Sequence, residues 1–272
     1  MKRTLLTVAL ALAAIPSFAA IQYEYVQKSL SEDDAASGGD LTAKAVVDGA
    51  KSRVDFLSGN LYPPGTYVIT NDGSRLFFVD PTKKWYTEFN AAGAVSAIGI
   101  NRISIENLRS DVKELPDKKV IAGVETAHYQ LTIDYDVTLV MRNIPLKQRV
   151  HTVIDSWTTN RFGDAERHAL ANTVRTGNVD VDRLLELETT KIPGFPMKQT
   201  VKIQTTVASR PAQTQLGINP TRTIVHEMYI TSLRETQVLP NTFKIPAGYQ
   251  RADMPEMPRT AADVLTFDPP SN

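Results

Sequence analysis

The sequence predicts a mainly β domain of antiparallel strands with a small helical insertion. Three observations carry this. Most of the chain after residue 20 alternates apolar and polar side chains with a period of two. Turn sequences recur at hairpin spacing, with Asn71-Asp72-Gly73 and Asp80-Pro81-Thr82-Lys83 the strongest. Persuasive helical patterning is confined to residues 164–190.

Along the chain, residues 21–29 carry Tyr23, Tyr25 and Gln27 on one face of a strand, and residues 41–48 and 53–57 follow as two more. Residues 31–40 (SEDDAASGGD) are acidic and small, and read as a turn. Residues 67–70, 75–79 and 84–89 form a meander of short strands. Residues 102–112, 125–134, 137–141 and 150–159 continue the β pattern. Asp164 is expected to cap a short helix through Ala171, and Asp180 or Asp182 to cap residues 183–188. Strands resume at 197–207 and 221–236. Roughly eleven strands and about 230 ordered residues fit one domain over residues 20–250. Residues 251–272 form a Pro-rich tail expected to carry little order.

The first nineteen residues read as a cleaved signal peptide. Lys2 and Arg3 form a positive start, residues 4–15 are apolar, Pro16 breaks the helix, and Ser17-Phe18-Ala19 offers small residues for cleavage after Ala19. The apolar stretch is too short for a span of about 20 residues, and no later stretch is long enough either. The expected location is therefore the bacterial periplasm or the exterior, with no transmembrane segment after cleavage.

Composition excludes several classes. Thirty Lys and Arg balance thirty Asp and Glu. Losing Lys2 and Arg3 with the signal leaves a net charge of −2, the wrong sign for coating nucleic acid. There is no cysteine, which removes disulfides, cysteine nucleophiles, thiolate metal sites and a lipoprotein anchor.

Catalytic motifs do not emerge. His128, His151, His168 and His226 lie far apart and form no metal-ligand spacing. No G-x-S-x-G elbow, phosphate loop or dinucleotide fingerprint occurs. The pairs Asp134/Asp136 and Asp180/Asp182 read as strand-end and helix-cap residues. The expectation is a protein that is not an enzyme, with no cofactor and no metal.

The aromatics form a pattern of their own. Phe77, Phe78, Trp85, Tyr86 and Phe89 cluster, and Tyr129, Tyr135, Trp157 and Tyr229 fall in later strands. They either fill a β core or line an apolar cavity on one face of a curved sheet. The uncharged segment 89–101 reads either as a flap over such a cavity, or a membrane-touching segment, or as an ordinary buried stretch. For the cavity reading, the candidate ligand-binding residues are Phe77, Trp85, Tyr129 and Trp157, with Ile98 in the flap.

Several phrases, in order, carry a resemblance. They are residues 67–73 (YVITNDG), 78–81 (FVDP) and 84–86 (KWY) as hairpins, and 121–123 (IAG) followed by 129–131 (YQL). Residues 155–158 (DSWT), 194–198 (GFPMK) and 243–249 (FKIPAGY) complete the set. Together they resemble the periplasmic lipoprotein-carrier (LolA/LolB-like) half-barrel superfamily, and most closely secreted families of unassigned function grouped near it. The resemblance covers residues 23–249 and implies a sheet curled as a half-barrel around a helix layer, with an apolar interior able to hold acyl chains. It transfers no functional residue to this chain. The expected partner is thus a lipid, an acyl chain or a lipoprotein, in keeping with lipoprotein sorting at the outer membrane. The alternative is a structural or interaction protein of the envelope with a packed core. A hydrolase without a recognisable motif comes last.

Overall fold

A computed structural model describes residues 20–30, 40–60, 62–71, 75–89, 100–141, 144–162, 178–207 and 221–252. These residues form one curled, unclosed β-sheet and one helix. The strands are β1 (Ala20–Ser29), β2 (Leu41–Asp48), β3 (Lys51–Gly59), β4 (Tyr67–Thr70), β5 (Leu76–Asp80) and β6 (Trp85–Phe89). They continue with β7 (Ile100–Ile121), β8 (Val124–Met141), β9 (Ile144–Thr159), β10 (Phe195–Val207), β11 (Thr221–Thr236) and β12 (Gln250–Arg251). The helix α1 (Val179–Lys191) lies between β9 and β10.

The sheet order is β12-β6-β5-β4-β3-β2-β1-β11-β10-β9-β8-β7. Strands β1–β6 meander outward in one wing, and β11 back to β7 meander outward in the other. The wings join where β1 pairs antiparallel with β11, from Ala20 opposite Thr236 to Ser29 opposite His226. All neighbouring strands are antiparallel except β12, which runs parallel to β6.

The two faces of this sheet differ. On one, Leu131, Ile133 and Ile154 meet Leu184, Leu187 and Ile192 of and just after α1. Ile21, Tyr23, Ala45, Val47, Phe195 and Met197 form the central cluster, and Leu41, Ala43 and Phe56 another. We call this the helix side. On the other face, residues 237–249 form a strap. Its Val238, Phe243 and Tyr249 pack on Val46, Tyr67, Ile69 and Val79, giving the FKIPAGY phrase a packing role. We call this the strap side. The strap ends as β12, where the Gln250 amide donates to the Lys84 carbonyl at 3.0 Å and the Ala252 amide to the Tyr86 carbonyl at 2.8 Å.

The expected turn at Asp80-Pro81-Thr82-Lys83 is present, while most of the Asn71-Asp72-Gly73 turn lies outside the described residues. Asp80 Oδ1 accepts from the Thr82 and Lys83 amides at 2.9 and 3.1 Å, closing the β5–β6 hairpin. The β7–β8 hairpin turns at Ala122 and Gly123, with φ of +47° and +77°, as a two-residue turn of the primed class requires. Gly194, with φ +85°, starts β10 so close to β9 that an added Cβ would meet the Thr159 carbonyl oxygen and Asn160 Oδ1, each at 2.7 Å.

Several strands differ from the sequence reading. β7 runs on to Ile121 through Pro116, because it is an edge strand whose outer amides need no partner strand. Its many charges, its three register shifts and Asn107 at φ +56° also blunt it as a template for another sheet. The expected strands 125–134 and 137–141 are one strand, β8. The Asp136 between them is held by Asn107 Nδ2 at 2.7 Å and Arg149 Nε at 3.2 Å. β12 was not foreseen, since two residues carry no periodicity. The short helix at 164–171, the signal, and most of the acidic turn, of the uncharged segment and of the tail fall outside the described residues; Arg251, at the start of the expected tail, belongs to β12.

The helix also differs. It starts four residues earlier than the pattern suggests, and its cap is Asn178 rather than Asp180 or Asp182. Asn178 Oδ1 accepts from the Asp180 and Val181 amides at 3.0 and 3.1 Å. Its Nδ2 donates to the Ile103 carbonyl at 3.0 Å, while Asp180 Oδ2 accepts from the Ile105 amide at 3.2 Å. The helix start thus satisfies outward-facing backbone groups of edge strand β7. Asn178→Ala removes both the cap and this tie. It should destabilise the fold by about 1–2 kcal/mol in chemical denaturation, and hydrogen exchange should rise first at Ile105.

Candidate functional site

The candidate site is an aromatic band on the helix side. Residues directly opposite in register share a face, so Phe56, Ala43, Tyr25 and Ile230 lie together across β3, β2, β1 and β11. Tyr23 meets Phe195 edge-on with ring centres 5.2 Å apart, and Tyr25 at 5.9 Å. Tyr25 and Tyr62 both pack against the cluster of Leu41, Ala43 and Phe56. Tyr62, from the Pro-rich turn before β4, stacks on Phe56 at 4.1 Å and reaches Phe78 at 6.0 Å. Phe78 meets Trp85 at 5.9 Å. The band therefore runs from Phe195 at the centre of the sheet to Trp85 beside its short edge. Tyr25, Tyr62, Phe78 and Trp85 are only half-buried, so aromatic surface remains available along it.

The candidate residues read from sequence do not come together. Trp85 belongs to the band: it opposes Asp80, two residues from Phe78 on β5. Phe77 points to the other face by alternation, towards Tyr86 under the strap, with ring centres 6.4 Å apart. Tyr129 is on the helix side but in the other wing, packed in the cluster that α1 covers. Trp157 is on the strap side and buried. Ile98 lies outside the described residues.

Trp157 anchors a polar cluster of its own. The His128 ring stacks on its indole at 4.0 Å and 13°. Lys119 Nζ lies 4.1 Å from the indole centre, within cation–π range. Asp117 contacts His128 Nδ1 at 3.0 Å, and Asp155 Oδ1 is 3.5 Å from Nε2. The exposed Asp117 carboxyl is held below its ordinary range chiefly by its hydrogen bond to His128. This cluster ties β7, β8 and β9 across the strap side. No serine, threonine or cysteine nucleophile appears among these contacts.

The strap side also holds a cavity of about 540 Å³, with Lys44, Val46, Arg53, Asp55 and Thr242 in its wall. Arg53 is already occupied: it grips Asp55 at 2.7 Å and lies 3.8 Å from the Tyr67 ring centre. Among the described residues, no group of three His, Asp or Glu could hold a metal ion, and no helix is long and apolar enough to cross a membrane.

Sequence reading missed Tyr25, Tyr62 and the choice of Phe78 over Phe77. Parity was the available signal for the last. A four-residue turn places Trp85 opposite Asp80, which puts Trp85 on the side of Phe78. Nothing in the local pattern marks Tyr62, because a turn residue has no alternation to read.

Burial of the band has an electrostatic consequence. Desolvation, with the Tyr62 phenol second, pushes Tyr25 up to about 12. Burial also raises Tyr23, with help from Tyr25, and raises Tyr62. The neutral phenol is thus favoured by the fold, and above the unfolded value near 10 the native state binds more protons than the unfolded one. Stability from these groups is complete below about pH 10 and is lost as pH rises towards and through about 12. Denaturant midpoints should fall over that alkaline window, and Tyr25→Phe should flatten the fall. Tyrosinate absorbance should show the delayed phenols ionising only as the chain unfolds.

Compared with known proteins, the sequence matches no family model and no curated protein.

Proposed function

We propose that this is a secreted or periplasmic protein that binds the apolar part of a lipid, an acyl chain or a lipidated protein on the helix side of its half-barrel, and that it is a carrier rather than an enzyme. The observation that carries the reading is the aromatic band. Four large aromatic side chains, Tyr25, Tyr62, Phe78 and Trp85, stay half-buried in a line on the helix side. Half-buried aromatics in a row leave apolar area that a ligand can remove from water, at about 25 cal/mol per Å² before the costs of binding. Rigid rings also lose little entropy when they are covered. The ordered resemblance to lipoprotein carriers and the signal-like start support the same reading.

The unclosed sheet suits this role. A closed small barrel fills its interior with its own side chains, whereas an open one leaves a face to which a chain-like ligand has access. The edge nearest the band is short: β12 has two residues, and β6 lies beside it.

A fluorescence titration with cis-parinaric acid tests the reading. Wild-type protein should bind it, and Trp85→Ala and Phe78→Ala should each weaken binding by about fivefold or more, with a smaller loss in melting temperature. Phe77→Ala, on the opposite face, should cost stability and leave affinity unchanged. Absence of uptake by wild-type protein would overturn the reading in favour of a packed envelope protein. Equal effects of Phe77→Ala and Phe78→Ala on binding would overturn the choice of face.

A further inference from the structure

We infer that the ligand carries a neutral ester or amide carbonyl, received on the helix side by the hydroxyl of Ser156. This rests on the carrier reading above and names the chemistry of the ligand's polar end.

The inference comes from one row of the sheet. Tyr129, Ser156, Gln199, Met228 and Gln27 stand directly opposite one another across β8, β9, β10, β11 and β1. They therefore share a face, and Tyr129 places it on the helix side, with Leu131 and Ile154. The row beside it is Leu131, Ile154, Val201 and His226. Beyond the other side lie Ile230 and Tyr25, at the start of the aromatic band. A line of polar groups thus crosses an apolar face between the cluster under α1 and the band.

Ser156 is the exceptional member. It is 1% exposed, and its Oγ makes no hydrogen bond. A buried hydroxyl without a partner is costly, and an alanine would fill nearly the same space without that cost. Its donor is therefore free for a group that arrives from outside. The half-buried Tyr129 and Gln199 on either side are the side chains that shift to admit it.

The surroundings select the group. The one charge in this row is the exposed Glu114, opposite Tyr129 on edge strand β7, and the row that contains Ile154 has no Asp, Glu, Lys or Arg. A carboxylate or phosphate would arrive without a counter-charge in an apolar setting, which is strongly unfavourable. A carbonyl needs only a donor. From the row, Gln27 leads along β1 to Tyr25, and from there to Phe56, Tyr62 and Phe78, so an acyl chain attached to that carbonyl has a path along the band.

Two ligands that differ only in the carbonyl test this: monopalmitoylglycerol and hexadecylglycerol ether, each competing with diphenylhexatriene for the full protein. Wild type should prefer the ester by about tenfold. Ser156→Ala should erase that preference by weakening the ester alone, while diphenylhexatriene affinity and the ether stay unchanged. Its melting temperature should stay at or above that of wild type. A wild type that binds both equally, or a variant that keeps the preference, overturns the role of Ser156 and leaves the carrier reading standing. A large fall in melting temperature overturns it too, since the hydroxyl would then be structural. Failure of wild type to bind any of the three overturns both proposals.

Discussion

Everything in this fold depends on one seam, the pairing of β1 with β11. Each wing is a local meander whose neighbours are close in sequence, but the seam joins residues 20–29 to residues 226–236. It is closed by ten register positions and by Ile21, Tyr23 and Ile230, which enter the central cluster from its two strands. Without it the sheet would be two separate half-sheets, each with an exposed edge. With it, the apolar faces of both wings become one surface, and both the aromatic band and the row containing Ser156 cross from one wing towards the other. The seam carries one irregularity, at Glu24/Tyr25, which adds local twist where the two wings meet.

The seam also explains why the faces are covered so differently. The strap side of the N-terminal wing is closed by the chain's own residues 237–249, which leave β11 at the seam and cross β2–β6 to end beside β6. The helix side of the C-terminal wing is closed by α1, pinned to the edge strand by Asn178 and Asp180. The helix side of the N-terminal wing has neither cover among the described residues, and that is where the half-buried aromatics lie.

Much of this architecture was legible because alternation is a strong local signal. β1, β2, β4 and β11 have nearly the limits that their patterns imply, and the Asp80 turn was readable from its residues. Long-range order was not legible: no local pattern says that β1 pairs with β11, or that residues 237–249 cross the opposite face. The extent of β7 was hidden by Pro116 and a run of charges, which an edge strand tolerates and a central strand does not. The candidate site was legible as an aromatic cluster but not as a surface. Phe77 and Phe78 are equivalent in composition and opposite in direction, and only register separates them. Trp157 looked like a cavity wall; it is instead covered by His128 and Lys119, contacts between β7, β8 and β9 that sequence spacing does not reveal. Ser156, beside it, looked like part of a strand motif, and its unpartnered hydroxyl is a property of the packed sheet alone.

The most direct test of the account is native mass spectrometry of protein purified from its producing cells without detergent, with organic extraction of the same sample. The account predicts a stoichiometric adduct of lipid size that extraction releases as an acyl ester or amide, and that Phe78→Ala and Trp85→Ala diminish. A clean mass for the bare chain, with no adduct after incubation with acyl lipids, would contradict it.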